Sequence, residues 1–180
     1  VQATDEQGCS GSIEAIPLLA QGDVNLTVPA DTALCAGAAL QLEAASTGAT
    51  EAFWAVQDGG NGNGLTANAE GVAEGGHYWI FTASRLGCAQ EDTVLVMGWS
   101  VPNPDAGQDA LVVSGAAANL GVAGADETWQ YVWSPSDDVA FAESPSTPTN
   151  TMFETTSFTL QATSQEGCIG SDTVVVEVLQ

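Results

Sequence analysis

Along much of the chain apolar and polar residues alternate with a period of two, the spacing of a strand with one buried face. Leu40, Leu42 and Ala44 fall on one side, Gln41 and Glu43 on the other. Ala118, Leu120 and Val122 repeat the arrangement, and Val174, Val176 and Val178 share a face opposite Thr173 and Glu177. Tyr78, Ile80 and Thr82 alternate with Trp79 and Phe81, which form a candidate outer face. Turn formers separate these runs, as in Asp58-Gly59-Gly60-Asn61-Gly62-Asn63-Gly64, Gly75-Gly76, Ser134-Pro135-Ser136-Asp137 and Pro145-Ser146-Thr147-Pro148. The Ala-rich stretch 36–46 has helical propensity, but its leucines are spaced as in a strand. The predicted fold class is all-β, with short strands arranged as sandwiches.

The pattern itself repeats. Gly8-Cys9, Gly87-Cys88 and Gly167-Cys168 stand 79 and 80 residues apart. Val1-Gln2-Ala3-Thr4 precedes the first pair as Leu160-Gln161-Ala162-Thr163 precedes the third. Glu91-Asp92-Thr93-Val94-Leu95-Val96 matches Ser171-Asp172-Thr173-Val174-Val175-Val176, and Asp31–Ala38 matches Asp109–Ala116. Trp54 follows Cys35 by 19 residues and Trp133 follows Val113 by 20. Several matches in one order at one period indicate tandem units. The expected organisation is two full repeats, 21–98 and 99–180, preceded by residues 1–20. That first segment reads as the last two strands of an earlier repeat, or as strands donated to a neighbour; the alternative is a private extension of the first unit.

Units of this size have small cores, so a covalent staple is expected. Cys35, in the second strand of the first full repeat, and Cys88, near its penultimate strand, are the expected pair. Closing that loop would contribute roughly 4 kcal/mol by the chain-entropy model, with Trp54 packed beside the bridge. The second repeat has Val113 in place of Cys35, which leaves Cys9 and Cys168 unassigned. A buried thiol, a bridge between chains and a bridge to residues outside this sequence all remain open for them. A disulfide implies an oxidising compartment.

At these residues the chain resembles the PKD-like, immunoglobulin-like tandem repeats of secreted cell-surface proteins of Bacteroidota. The resemblance rests on Asn103-Pro104-Asp105-Ala106-Gly107-Gln108-Asp109, Cys35-Ala36-Gly37 and Tyr131-Val132-Trp133-Ser134-Pro135. It continues through Thr155-Thr156-Ser157-Phe158-Thr159-Leu160 and Glu166-Gly167-Cys168 to Asp172-Thr173-Val174-Val175-Val176, and covers essentially the whole chain. The first repeat departs from it after Trp54, where no Ser-Pro follows, and the second departs at Val113. The resemblance implies tandem immunoglobulin-like (PKD-like) β-sandwiches, export to the cell surface, and a role as adhesin, stalk or filament. It implies no catalytic residues.

Charge narrows the partners. The 180 residues include 23 Asp and Glu but one Lys or Arg, Arg85, for a net charge of −22. Charged residues make up 13 % of the chain, about half the usual share, so it is the basic half that is missing. Nucleic acid and anionic lipid are excluded as partners, because phosphate contacts draw on Lys and Arg. No apolar run reaches the length of a membrane span. Val1-Gln2-Ala3-Thr4-Asp5 has none of the features of a signal peptide, so an export signal is expected to have been removed or to lie outside this sequence.

The search for chemistry returns little. His77 is the sole histidine; beside Gly76 at the start of a probable strand it reads as a surface or edge residue rather than a triad base, and His and Cys are too few for a zinc site once disulfides are counted. Paired acids such as Asp137-Asp138 read as solvated turns rather than a glycosidase pair. Calcium is the one candidate cofactor. Asp58, Asn61 and Asn63 share a Gly-rich loop, and Asp105 with Asp109 lies at the junction of the repeats, although neither follows an EF-hand spacing. Asp31-Thr32-Ala33, Asp92-Thr93-Val94 and Asp172-Thr173-Val174 resemble the O-glycosylation signal of the same bacteria. The expected function is a non-catalytic structural or adhesive segment of an extracellular array, its partners being neighbouring repeats or identical subunits. The alternative is a carbohydrate-binding accessory module of a secreted enzyme, with Trp99, Trp129 and Tyr131 as candidates to stack on surface glycans. A third reading, salt adaptation, is disfavoured by the ordinary acid content.

Overall fold

In the computed structural model, residues 2–4, 6, 10–12, 23–56 and 61–180 are described, with backbone alone for the strands at 2–4, 10–12 and 61–63. Two short strands, β1 (Gln2–Thr4) and β2 (Ser10–Ser12), form an antiparallel hairpin. Nine strands then build a first sandwich: β3 (Asn25–Thr27), β4 (Thr32–Cys35), β5 (Leu40–Glu43), β6 (Ala45–Thr47), β7 (Glu51–Val56), β8 (Asn61–Asn63), β9 (Thr66–Ala69), β10 (Gly75–Arg85) and β11 (Cys88–Trp99). Six more build a second: β12 (Ala110–Val113), β13 (Asn119–Gly121), β14 (Gln130–Ser134), β15 (Ser146–Pro148), β16 (Thr156–Thr163) and β17 (Ile169–Leu179). The described residues hold a single 3-10 turn, Ser136–Asp138, and no helix long and apolar enough to cross a membrane.

The main sheets share one topology. The first runs β4-β11-β10-β7-β8 and the second β12-β17-β16-β14. In both, the edge strand that opens the sheet lies parallel to the last strand of the unit, and the remaining pairs are antiparallel. The facing layers are small: β3-β6 and β5-β9 in the first sandwich, β13-β15 in the second. This is an all-β, immunoglobulin-like arrangement.

Each sandwich closes over its own core. In the first, Leu42, Ala44 and Ala67 from one layer meet Trp54, Phe81, Val94 and Val96 from the other. In the second, Leu120 and Met152 meet Trp133, Phe158, Leu160, Val174 and Val176. The period of two places these residues inward, and polar residues such as Gln41, Glu43, Thr173 and Glu177 face solvent. Trp79 and Phe81 depart from expectation. They are 5 % and 0 % exposed, whereas Tyr78 is 47 % exposed. A strand of alternating bulky residues has two candidate inner faces, and the facing layer chooses between them. Here Phe81 stacks on Trp54, with ring centroids 5.1 Å apart.

The internal repeat extends to hydrogen bonds. Trp54 Nε1 donates to Leu65 O (3.1 Å) and Trp133 Nε1 to Ser144 O (3.0 Å), 11 residues onward in both cases. Leu95 N donates to Asp31 Oδ1 (2.9 Å) and Val175 N to Asp109 Oδ1 (2.8 Å). Gly37 N reaches Val72 O as Gly115 N reaches Met152 O. Both glycines have a left-handed φ, +84° and +86°, which a side chain would oppose, so the turn after the edge strand is the same in both units.

Candidate functional site

The disulfide is not the expected one. Cys35 bonds Cys168 of the second sandwich, with Cα atoms 5.5 Å apart, and Cys88 is an exposed free thiol. The register of β11 forbids a Cys35–Cys88 bridge. Cys35 lies beside Trp99 at one end of that strand, while Cys88 opens the other end. Eleven residues of extended chain span about 36 Å, and a disulfide tolerates no more than about 7 Å between Cα atoms. The expectation treated each repeat as self-contained; instead the staple joins one repeat to the next. Trp54 packs on Phe81 rather than beside a bridge. Cys9 lies outside the described residues.

The bridge sits at a built junction. Cys35 ends the edge strand of the first sandwich, and Cys168 lies at the turn between β16 and β17. Ser164 N donates to Cys168 O, and Cys168 N donates to Ser164 Oγ, which fixes this turn. The connecting segment packs down on the same turn. Pro102 and Pro104 are buried, and a Cβ on Gly170 would overlap the Pro102 carbonyl oxygen. Ala106 N donates to Asp172 Oδ2 (2.8 Å), and Ala106 lies within the Asp105 turn, where Gly107 N donates to Asp105 Oδ1 (2.9 Å). The amide of Ala106, and after it that of Thr173, holds the Asp172 carboxyl below the usual carboxylate range. The covalent bridge and the buried prolines thus act at one place.

The two outer ends of the pair differ. At the first sandwich's far end Leu86 and Gly87 turn the β10–β11 hairpin, leaving Leu86 74 % exposed next to the free Cys88. At the second sandwich's far end Val113 pairs with Leu179, as Cys35 pairs with Trp99. Val113, Leu179, Leu111 and Phe153 are all more than half exposed there. The Cys35 end of the first sandwich, which meets Cys168, therefore has an apolar counterpart in the second sandwich.

The other candidate residues take structural roles or fall apart as a group. Asp105 and Asp109 each accept a backbone amide, from Gly107 and Val175. Asp58 lies outside the described residues, and Asn61 and Asn63 are on β8, described by backbone alone. Among the described residues no three His, Cys, Asp or Glu side chains gather as a metal site. His77 Nε2 is 3.0 Å from Ala73 O. Thr93 and Thr173 are exposed, and Thr32 is half-buried at the start of β4.

Of the three aromatic residues proposed to stack on sugar, Tyr131 is 5 % exposed. Its hydroxyl accepts from Asp126 N (2.8 Å) and sits 3.2 Å from Asp126 O, so it serves the loop it closes. Trp129 is half-buried against the second core and tilts toward Tyr131, with ring centroids 6.4 Å apart. Together with Glu127, Glu143 and Pro145 they line an open groove of about 590 Å³. Asp126, beside it, is held below the usual range by the Thr128 hydroxyl and then the Thr128 amide. Trp99 belongs to the other sandwich, at the end of β11, and is 38 % exposed.

The sequence matches no protein-family model and no curated protein. Solved structures with similar arrangements include the first two Ig domains of DIP-gamma, at 9 % identity and a TM-score of 0.44, covering 89 % of this chain and 99 % of that one. The insect immune protein hemolin aligns at 15 % identity and a TM-score of 0.48, over 85 % of this chain and 46 % of its own. Immunoglobulin domains 1–5 of Sidekick-1 align at 13 % identity and a TM-score of 0.44, over 99 % of this chain and 45 % of theirs. The chain thus spans about half the length of these last two.

Proposed function

We propose that this chain is a non-catalytic structural and adhesive segment of an extracellular array: a surface filament, stalk or adhesin built from PKD-like, immunoglobulin-like repeats of the Bacteroidota type. One observation carries the reading. The two units are joined by a covalently bridged junction with buried prolines, with a hairpin turn at the far end of the first sandwich and an exposed apolar edge-strand end on the second. Head-to-tail ends of this kind generate an open array rather than a closed oligomer, and units that touch mainly their neighbours extend it in one dimension. The boundaries of the units are taken as 21–98 and 99–180, a division that the two separate cores support. Residues 1–20 are then the closing strands of a preceding unit or strands donated to a neighbour. The β1–β2 register supports this, since Gln2 faces Ser12 and Ala3 faces Gly11, as Gln161 faces Ser171 and Ala162 faces Gly170. A disulfide favours an oxidising, extracellular setting. The partners are neighbouring repeats or identical subunits.

Electron microscopy of the protein from its native source, with its denatured mass measured alongside, tests the reading. Elongated particles or fibres on the cell surface are the expected result. A compact particle of two sandwiches, soluble and unattached, overturns it.

A second reading, carbohydrate binding, is favoured by the groove beside Trp129, whose indole is accompanied by carboxylates that can accept from sugar hydroxyls. A glycan array probed with the wild type and with Trp129→Ala tests it. Binding lost in the variant supports this reading, and absence of glycan binding removes it.

A further inference from the structure

We infer that Cys88 is the attachment point of a second inter-unit disulfide, made to an edge-strand cysteine of an immunoglobulin-like unit that packs on the β10–β11 turn. The inference rests on the array reading and adds its covalent chemistry.

The argument is positional. Cys88 pairs with Arg85 as the closing pair of its hairpin, one position beyond the Ala89–Ser84 pair. Cys168 likewise stands one position beyond the Ile169–Thr163 pair, where Ser164 N donates to its carbonyl oxygen across a turn one residue longer. Gly87 and Gly167, the residues just before the two cysteines, share a left-handed φ of +85° and +84°. Two cysteines in the same place on two copies of one fold have the same reach. One of them, Cys168, is bonded and fully buried. Its partner is the last residue of the edge strand of the unit before it. Cys88 differs from Cys168 in what lies against it: the described residues place no unit on that turn, and the thiol is open. The bonded copy therefore specifies the missing partner, a cysteine at the Cys35 position of an adjoining unit. Val113 occupies that position in the second sandwich, so this chain's other end offers no thiol to a following unit. The bridging is directional and stops there.

The bond requires an oxidant. A protein disulfide of the oxidising compartment is attacked by one of the two cysteine thiolates, forming a mixed disulfide and expelling one sulfur of the oxidant. The second cysteine thiolate then attacks the first at its sulfur. The new Sγ–Sγ bond forms, the oxidant leaves as its dithiol, and the two cysteines have lost two protons and two electrons.

Disulfide mapping of the protein purified from its native source tests this. Free thiols are alkylated under denaturing conditions before reduction, and bridged thiols with an isotopically heavy reagent after it, followed by cleavage at Glu and Asp. The expected result is heavy label on Cys88. Without reduction, its peptide is joined to a cysteine from the edge strand of another immunoglobulin-like unit. If that unit is on a separate chain, reduction also lowers the denatured mass; if it is on the same chain, the mass is unchanged. Light label on Cys88, or a bridge from Cys88 to Cys9, overturns the inference. An elongated array carrying light label leaves the proposed function standing and removes only this bridge. An isolated pair of sandwiches with light label removes both.

Discussion

Cys35 and Cys168 are separated by 133 residues in sequence and by 5.5 Å at their Cα atoms, and their bond ties the edge of one core to a turn of the other. Neither core contains the bridge among its buried apolar residues, so the bond acts on the relation between the units more than on either interior.

The paired substitution Cys35→Ser with Cys168→Ser should leave both sandwiches folded and free the junction. Scanning calorimetry should then resolve two transitions where the bridged chain unfolds more cooperatively. The chain-entropy model limits the loss to about 5 kcal/mol for the whole chain, and less is expected because the connecting segment already tethers the folded units. Small-angle scattering should show a broader distribution of end-to-end distances. An unchanged distribution would mean that the buried prolines alone fix the geometry.

Trp133→Phe removes a fully buried indole N–H and leaves the Ser144 carbonyl without its donor. Losing such a bond costs about 1 kcal/mol and the smaller ring leaves a void, so a fall of about 2 kcal/mol is expected in the second transition. The first transition should stay in place, since the cores are separate. Trp54→Phe should give the reciprocal pattern through the lost bond to Leu65 O. Fluorescence-monitored urea unfolding of both variants checks this.

Asp172→Asn should weaken the junction in a pH-dependent way. The carboxyl's folded-state pKa lies below its unfolded value, because the amides of Ala106 and Thr173 favour the charged form. Its contribution is therefore complete above the unfolded value, near 3.9, and is lost as pH falls through the folded one. At neutral pH the variant should be less stable by about 1 kcal/mol, a solvent-discounted figure for a hydrogen bond to a charged acceptor. The two proteins should converge as pH falls through the folded-state value, below the usual carboxylate range. Melting curves across that range would refute the assignment if the difference persisted at low pH.

Gly170→Ala places a methyl group against the Pro102 carbonyl, a backbone atom that cannot rotate away. The connecting segment must shift, at a cost of about 2 kcal/mol in the range of overpacked sites. Because Pro102 belongs to the connection between units, the variant should also change the angle between sandwiches in scattering. A cost without a change of angle would place the strain within the second sandwich alone.

Much of the fold was legible in the sequence because it depends on short-range rules. The alternation at Leu40-Gln41-Leu42-Glu43 requires a strand with one inner face, and residues 42 and 44 are indeed buried. The matched texts around Asp31 and Asp109, and around Trp54 and Trp133, mark equivalent positions that make equivalent hydrogen bonds. The face of Trp79 and Phe81 was less legible, because both sides of β10 carry bulky residues and only the facing layer selects one. The surroundings of the candidate aromatic residues were hidden for a similar reason. Spacing along the chain does not reveal that the Tyr131 hydroxyl is spent on the Asp126 loop.

The sequence by itself determined the class of structure, the repeat and the shortage of cations, because period, turn chemistry and composition are properties of neighbouring residues. The tertiary structure alone decided which cysteines meet. A strand separates its ends by its length, so Cys88 and Cys35, members of one repeat, are held far apart by β11. Stacking one sandwich on the next brings Cys35 to Cys168, since the end of one unit and the turn of its neighbour occupy the same space.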